Sequence, residues 1–127
     1  MHLIDTSVWI DFLRGVSNPR VQLLEGLLEE GEAYLCDITY AEICFGAKDQ
    51  RQFRKYERIF AELPFLSLPE NWHREIARLG YALKSKGHKS YVADLMIGLA
   101  ALHHRAALLT RDKDFEAYHD LFGLTLE

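Results

Sequence analysis

Residues 90–114 read SYVADLMIGLAALHHRAALLTRDKD and place a helix directly before a strand. The stretch 90–105 is rich in Ala, Leu and Met, which favour helices. The short apolar run 107–110 follows the charged residue Arg105, where the helical pattern ends, and predicts a buried strand. Aspartates stand at both ends of this unit, one in the first turns of the helix and two just after the strand. A helix that leads into a buried strand is typical of α/β proteins.

The same alternation of strands and helices extends from this unit along the chain. We predict five short strands, at 2–4, 33–36, 65–68, 107–110 and 124–126. We predict seven helices, at 7–13, 21–30, 39–47, 50–63, 69–86, 90–105 and 115–121. The order indicates an α/β fold with a mainly parallel sheet of about five short strands. Since the 127 residues contain no repeat and no Pro/Gly/Ser-rich linker, we expect a single domain, 1–127.

The composition excludes several classes of protein. Hydrophobic residues make up 49% and charged residues 27%, as in ordinary globular domains. The two cysteines are eight positions apart and have no metal-ligand spacing, which argues against a disulfide scaffold or a zinc finger. The start of the chain lacks the apolar segment of a signal peptide, and the apolar run 95–102 is too short to cross a bilayer. We therefore expect a cytoplasmic protein without membrane contact.

The formal net charge of −4 argues against a protein that coats polyanions without a dedicated site. Five carboxylates that contribute to this negative charge lie at predicted strand ends or at nearby helix starts. They are Asp5, Glu42, Asp94, Asp112 and Asp114. In a parallel α/β sheet, ligands bind outside the carboxyl ends of the strands. We therefore expect these five groups to meet at one edge of the sheet.

Each carboxylate also has a purely structural interpretation. Asp5, Asp112 and Asp114 are suitable helix caps or turn residues. Glu42 completes a capping-box pattern that begins at Thr39. Asp94 resists such an interpretation, because it is the only charged residue between positions 92 and 102 and its neighbours at helical spacing are small or apolar. An unpaired carboxylate on a core-facing helix is costly unless it binds a cation or stays protonated.

A cluster of carboxylates is the donor set that hard divalent cations prefer, and Mg²⁺ is typically held by a few of them together with water and phosphate oxygens. One or two such ions are able to activate a water and stabilise the leaving oxygen in phosphodiester hydrolysis. The hydroxyls of Thr6, Ser7 and Thr110 lie beside the carboxylates in the sequence and suit contacts to the ligands or to phosphate.

Four motifs in this order and spacing resemble the PIN-domain family, and most closely the VapC ribonuclease toxins of bacterial VapBC toxin–antitoxin systems. They are LIDTSVWIDFLRG at 3–15, ITYAEICFGA at 38–47, YVADLMIGLAA at 91–101 and LLTRDKDF at 108–115. The resemblance covers the chain from end to end. It implies a three-layer α/β/α fold, a Mg²⁺ or Mn²⁺ site and endoribonuclease activity.

The resemblance also implies roles for particular positions and partners. The acidic quartet of the family falls on Asp5, Glu42, Asp94 and Asp112, with Asp114 as an accessory carboxylate. The implied partners are an RNA substrate, a second copy of the chain in a homodimer, and a cognate VapB-type antitoxin that inserts a basic side chain into the acidic site.

A second signal lies in the segment KDQRQFRKYER. Arg51, Arg54, Lys55 and Arg58 recur at helical spacing, so they share one face of the predicted helix, which we call the basic stripe. A nuclease can use such a stripe to hold a phosphate backbone, and an antitoxin can dock on it. An ordinary solvated helix face explains the same pattern.

Two other functions compete with a ribonuclease. A phosphatase with a nucleophilic aspartate after its first strand typically carries Asp-x-Asp, but position 7 is Ser7. A catalytically silent PIN-like module that binds RNA or protein is the non-enzymatic alternative. The intact set of carboxylates argues against it, because a site that only binds has little use for close like charges.

Overall fold

A parallel β-sheet forms the centre of the computed structural model, which describes residues 1–127. Its strands are β1 (His2–Ile4), β2 (Ala33–Tyr34) and β3 (Ala107–Leu109), in the order β2-β1-β3. His2 pairs with Ala33 on one side and with Ala107 on the other, and both pairings are parallel. Leu3 and Ile4, which point to opposite faces of the sheet, are both fully buried. The central strand is therefore covered by apolar side chains on both faces.

The sheet is smaller than the five strands predicted from the sequence, and that detail of the prediction was wrong. The stretches predicted as outer strands contribute single parallel bridges, Leu35 with Phe65 and Leu108 with Leu126. Backbone bonds such as Leu66 N to the Leu35 oxygen, 2.7 Å, mark these contacts. Prolines at positions 64 and 69 bracket the first of these stretches, and a proline has no N–H to extend a ladder.

Seven α-helices surround the sheet. They are α1 (Thr6–Leu13), α2 (Pro19–Glu29), α3 (Asp37–Phe45), α4 (Gln50–Phe60), α5 (Trp72–Ser85), α6 (Val92–His104) and α7 (Glu116–Phe122). One turn of 3-10 helix, Lys113–Phe115, leads directly into α7. Asn18 and Asp49 cap α2 and α4 by accepting bonds from the Val21 and Gln52 amides. No helix is both long enough and apolar enough to span a membrane.

Two apolar clusters show that the helices form layers on both faces of the sheet. The first joins Leu3 and Leu108 to residues of α5, α6 and α7. The second joins Ile4 and Leu109 to residues of α1, α2, α3 and α4. Neighbouring residues of one strand thus enter opposite clusters, as the pleat requires. The fold is a three-layer α/β/α arrangement, as predicted from the sequence.

Candidate active site

The carboxyl ends of β1 and β3 lie side by side and form the floor of an acidic site. The amide of Asp5, the first residue after β1, donates to the Leu109 carbonyl at 2.9 Å. Thr110 is the first residue after β3. Both side chains are buried, each with 5% of its surface exposed. The edge of the sheet at which we expected the carboxylates therefore carries Asp5 in its interior.

Two hydroxyls fix the Asp5 carboxylate. Ser7 Oγ and Thr110 Oγ1 donate to the same oxygen, Oδ2, at 2.7 and 2.8 Å. The Asp112 amide in turn donates to Thr110 Oγ1 at 2.9 Å. Hydrogen bonds to an ionised carboxylate favour its charged form, which offsets part of the cost of burying it. Asp5 is the N-cap residue of α1, as its structural interpretation allowed, but its carboxylate accepts no bond from a backbone amide of that helix. The carboxylate is therefore not used for capping.

Glu42 enters the site from α3, the helix that follows β2. Thr6 Oγ1 donates to Glu42 Oε1 at 2.9 Å. The capping-box interpretation of Glu42 is wrong, because α3 begins at Asp37 with Cys36 as its N-cap. Thr39 lies inside the helix, and its hydroxyl contacts the Cys36 sulfur at 3.1 Å. Glu42 is therefore free for chemistry at the edge of the sheet.

Three aspartates from two parts of the chain come together at the centre of the site. One carboxylate oxygen from each of Asp94, Asp112 and Asp114 lies within 4.8 Å of the other two. Asp112 also has the turn role that the sequence allowed, since its Oδ1 accepts from the Asp114 amide at 2.9 Å. Asp112 therefore has both a turn role and a place in the aspartate cluster.

Asp94 is in an electrostatically unfavourable position, half-buried and close to other negative charges. The helix α6 begins at Val92, two residues later than predicted, so Asp94 belongs to its first turn. The helix dipole there favours a negative charge. Burial nevertheless raises the pKa of Asp94 to about 6, and the negative charges of Asp112, Asp5, Asp114 and Glu42 add to the increase. The negative charges of the four other predicted carboxylates thus all act on Asp94.

This donor set fits a divalent cation of the Mg²⁺ or Mn²⁺ class. The atoms are hard carboxylate oxygens, three of them are close enough to share one ion, and the hydroxyls beside them are already bonded to carboxylates. A positive charge placed there removes the repulsion that raises the pKa of Asp94. The half-burial of Asp94 among like charges supports the fit, because both burial and repulsion destabilise its charged form and a cation there offsets both.

Metal-free protein is expected to become more stable as the pH falls through 6. The pKa of Asp94 is about 6 in the folded chain and 3.8 when unperturbed, so between these values only the folded state holds the proton. After allowance for solvent screening, this protonation contributes about 1–2 kcal/mol to the free energy of unfolding, fully present below about pH 4 and lost above about pH 6.

Urea unfolding in EDTA at about pH 8 and about pH 5 measures this contribution when wild type is compared with Asp94→Asn. The variant is the more stable protein at the higher pH, because it lacks the buried charge, and its advantage shrinks at the lower pH. A difference between the two proteins that does not change with pH would contradict the predicted protonation.

Two arginines that sequence reasoning missed support the rim of the site. Arg20 Nε donates to the Thr110 carbonyl at 2.9 Å, which ties α2 to the end of β3. Arg111 pairs with Asp11 through Nε and Oδ2 at 3.3 Å. The sequence could have drawn attention to Arg111, because it directly precedes Asp112. It could not have done so for Arg20, whose contact with Thr110 spans 90 positions.

The basic stripe lies on α4, away from these contacts. All four of its cationic side chains are exposed, and none forms an ion pair, with a cluster carboxylate or otherwise. Arg54 and Arg58 line an open groove of about 660 Å³ together with Tyr40 and Phe65. The structure therefore unites the five carboxylates with Thr6, Ser7 and Thr110, and it leaves the stripe as a separate surface.

A parallel α/β sheet with five carboxylates at its carboxyl edge defines an acidic-site domain of the PIN class. The chain belongs to the PIN-domain family, whose model, described as PIN domain, matches residues 2–121.

Curated and solved relatives agree with this assignment. The chain is 29% identical over 126 residues to ribonuclease VapC11 of Mycobacterium tuberculosis, covering 91% of this chain and 90% of that protein. The structure of VapBC2 from Rickettsia felis bound to a promoter DNA fragment matches with a TM-score of 0.80 at 20% identity, over 99% of this chain and 96% of that chain. A toxin–antitoxin complex from Klebsiella pneumoniae matches with a TM-score of 0.69 at 24% identity, over 98% and 96%.

Proposed function

We propose that this protein is a divalent-metal-dependent endoribonuclease and the toxin of a VapBC-type toxin–antitoxin system. The observation that carries the proposal is the cluster of Asp94, Asp112 and Asp114, whose carboxylate oxygens lie within 4.8 Å of one another. Burial and the nearby negative charges, those of Asp5 and Glu42 included, raise the pKa of Asp94 to about 6. Similarity to a protein named ribonuclease supports RNA as the substrate. A domain that only binds RNA gains nothing from this arrangement, because the cluster repels phosphate unless a cation occupies it.

We assign the chemistry to this chain's own groups as follows. Asp94, Asp112 and Asp114 hold the cation, and Asp5 and Glu42 complete the acidic wall around it. Ser7, Thr110 and Thr6 keep the carboxylates of Asp5 and Glu42 in fixed orientations through their hydroxyls. When bound, Mg²⁺ or Mn²⁺ supplies Lewis-acid chemistry, which makes water a better nucleophile and offsets charge on the phosphate.

The acidic edge also suits a protein inhibitor with a basic side chain. We infer a VapB-type antitoxin, since a structural relative is a toxin–antitoxin complex and an arginine is the natural partner for clustered carboxylates. For a homodimer, the support is that three large hydrophobic side chains, Tyr81 on α5 and Tyr91 and Val92 at the start of α6, are exposed. We place the protein in the cytoplasm, where its RNA substrate and antitoxin are made.

The basic stripe remains a proposed contact for RNA or antitoxin. Its four unpaired cations, Arg51, Arg54, Lys55 and Arg58, are able to bind phosphates without removing an existing ion pair. A solvated helix face remains the competing interpretation.

Purified protein is expected to cut total cellular RNA into discrete fragments with Mn²⁺ or Mg²⁺ and to leave it intact with EDTA. The physical reason is that the cluster repels the phosphate backbone until a cation neutralises it. Gel electrophoresis of the RNA measures the cleavage, and sequencing of the fragment ends identifies the preferred site. Metal binding by calorimetry without any cleavage, or no metal binding at all, would favour the catalytically silent binding module.

A further inference from the structure

Tyr118 on α7 is a buried side chain whose hydroxyl bonds to nothing. Only 2% of its surface is exposed. Its hydroxyl oxygen is shielded from solvent and has no hydrogen-bond partner. Burying a hydroxyl without a partner is unfavourable, and phenylalanine would fill the same space without that cost. The hydroxyl therefore calls for an explanation beyond packing.

The position of Tyr118 connects it to both halves of the aspartate cluster. Its ring lies against Gly98 on α6, where a Cβ would come within 2.6 Å of Tyr118 Cε2. Gly98 is one helical turn after Asp94, on the same face of α6. Asp114 is one turn before Tyr118 in the continuous 3-10 and α7 segment. The ring thus contacts α6 one turn from Asp94 and belongs to a residue one turn from Asp114, two of the three clustered carboxylates.

Packing and charge fix the direction of this side chain. The rings of Phe115 and Phe122 contact it with centroid separations of 5.0 and 5.9 Å, so the phenol has little freedom to rotate away. Burial raises the pKa of Tyr118 well above its usual range, and the negative charges of Asp94, Asp114 and Asp112 raise it further. The hydroxyl therefore stays protonated and is able to donate a hydrogen bond.

We propose that the Tyr118 hydroxyl is a positioning donor for the metal site. It donates to the oxygen of Asp94 that is not used for the cation, once the carboxylates close around the ion. This inference rests on the metal-binding part of the proposed function. Groups behind a metal ligand commonly set its orientation in this way, and their removal typically weakens metal affinity about 10–100-fold.

Tyr118→Phe tests the proposal because it removes one oxygen and keeps the ring. We expect its dissociation constant for Mn²⁺, measured by calorimetry, to rise about tenfold relative to wild type. The Mn²⁺ concentration for half-maximal RNA cleavage should rise by about the same factor, with a smaller change in rate at saturation. In EDTA, the melting temperature should stay the same or increase, because the variant no longer buries an unpaired hydroxyl.

Tyr81→Phe is the matched control, since it loses the same atom from an exposed tyrosine on α5 and should bind Mn²⁺ like wild type. An unchanged Mn²⁺ affinity in Tyr118→Phe would overturn the proposal. If the melting temperature of that variant were also lower than that of wild type, the hydroxyl would have a structural role instead. Wild type that binds Mn²⁺ without cutting RNA would remove the nuclease function and leave the Tyr118 comparison valid. Wild type that binds no divalent ion would overturn both.

Discussion

Asp94→Asn is expected to reduce metal-dependent RNA cleavage by a factor of about 10²–10³, the usual effect of removing one preorganised electrostatic group from an active site. Asp94 shares a cluster with Asp112 and Asp114, so its amide replacement removes one of the three negative charges there. Initial rates with saturating Mn²⁺ measure the loss. The same variant should be more stable than wild type in EDTA above about pH 6, because the buried charge is gone.

The opposite signs of these two effects make the result decisive. A variant that is inactive but more stable than wild type has lost its catalytic activity and kept its fold. Glu25→Gln, at an exposed carboxylate on α2 without an ion pair, is the matched control and should cut RNA like wild type. Asp94→Asn that retained the wild-type cleavage rate would refute the central role of Asp94.

Gly98→Ala should destabilise the protein by about 1–3 kcal/mol, although alanine is the better helix former. The added Cβ would lie 2.6 and 2.7 Å from two ring carbons of Tyr118, closer than carbon atoms approach one another. Since Tyr118 is buried and held by neighbouring rings, it has no open space to move into. Chemical unfolding in urea measures the change in the free energy of unfolding.

Gly26→Ala provides the contrast within the same protein. Gly26 also lies inside a helix, α2, but a Cβ there would have no neighbour within 4 Å. This substitution should therefore raise stability by about 0.5–1 kcal/mol through helix propensity alone. Equal changes in the free energy of unfolding for the two substitutions would show that contact with Tyr118 does not determine the effect of Gly98→Ala.

The class of fold and the acidic cluster were predictable because both depend on short-range patterns joined by one topological rule. Buried runs such as 107–110 stand out as strands, and parallel strands bring their carboxyl ends to one edge. That rule placed residues as distant as Asp5 and Asp112 together, and the structure confirms that Asp5 and Thr110 are in contact.

Features that depend on partners distant in the chain were not predictable. The outer strands reduce to single bridges because sheet pairing is decided by how the flanking segments pack, not by the apolar run itself. Arg20 looked like an ordinary surface cation until its bond to Thr110 was visible. No local pattern distinguishes Tyr118, and only the folded structure shows its ring against Gly98.

The pairing of β1 with β3 has a consequence for the synthesis of this protein. His2 pairs with Ala107, which is synthesised much later, and the bond between Asp5 and Thr110 joins residues 105 positions apart. Closing such a long loop is slow and must precede every contact across it. A growing chain that stops before Asp112 contains three of the five carboxylates but no site. The proposed nuclease would therefore be harmless to the ribosome that makes it, and its activity would begin abruptly when the last strand arrives.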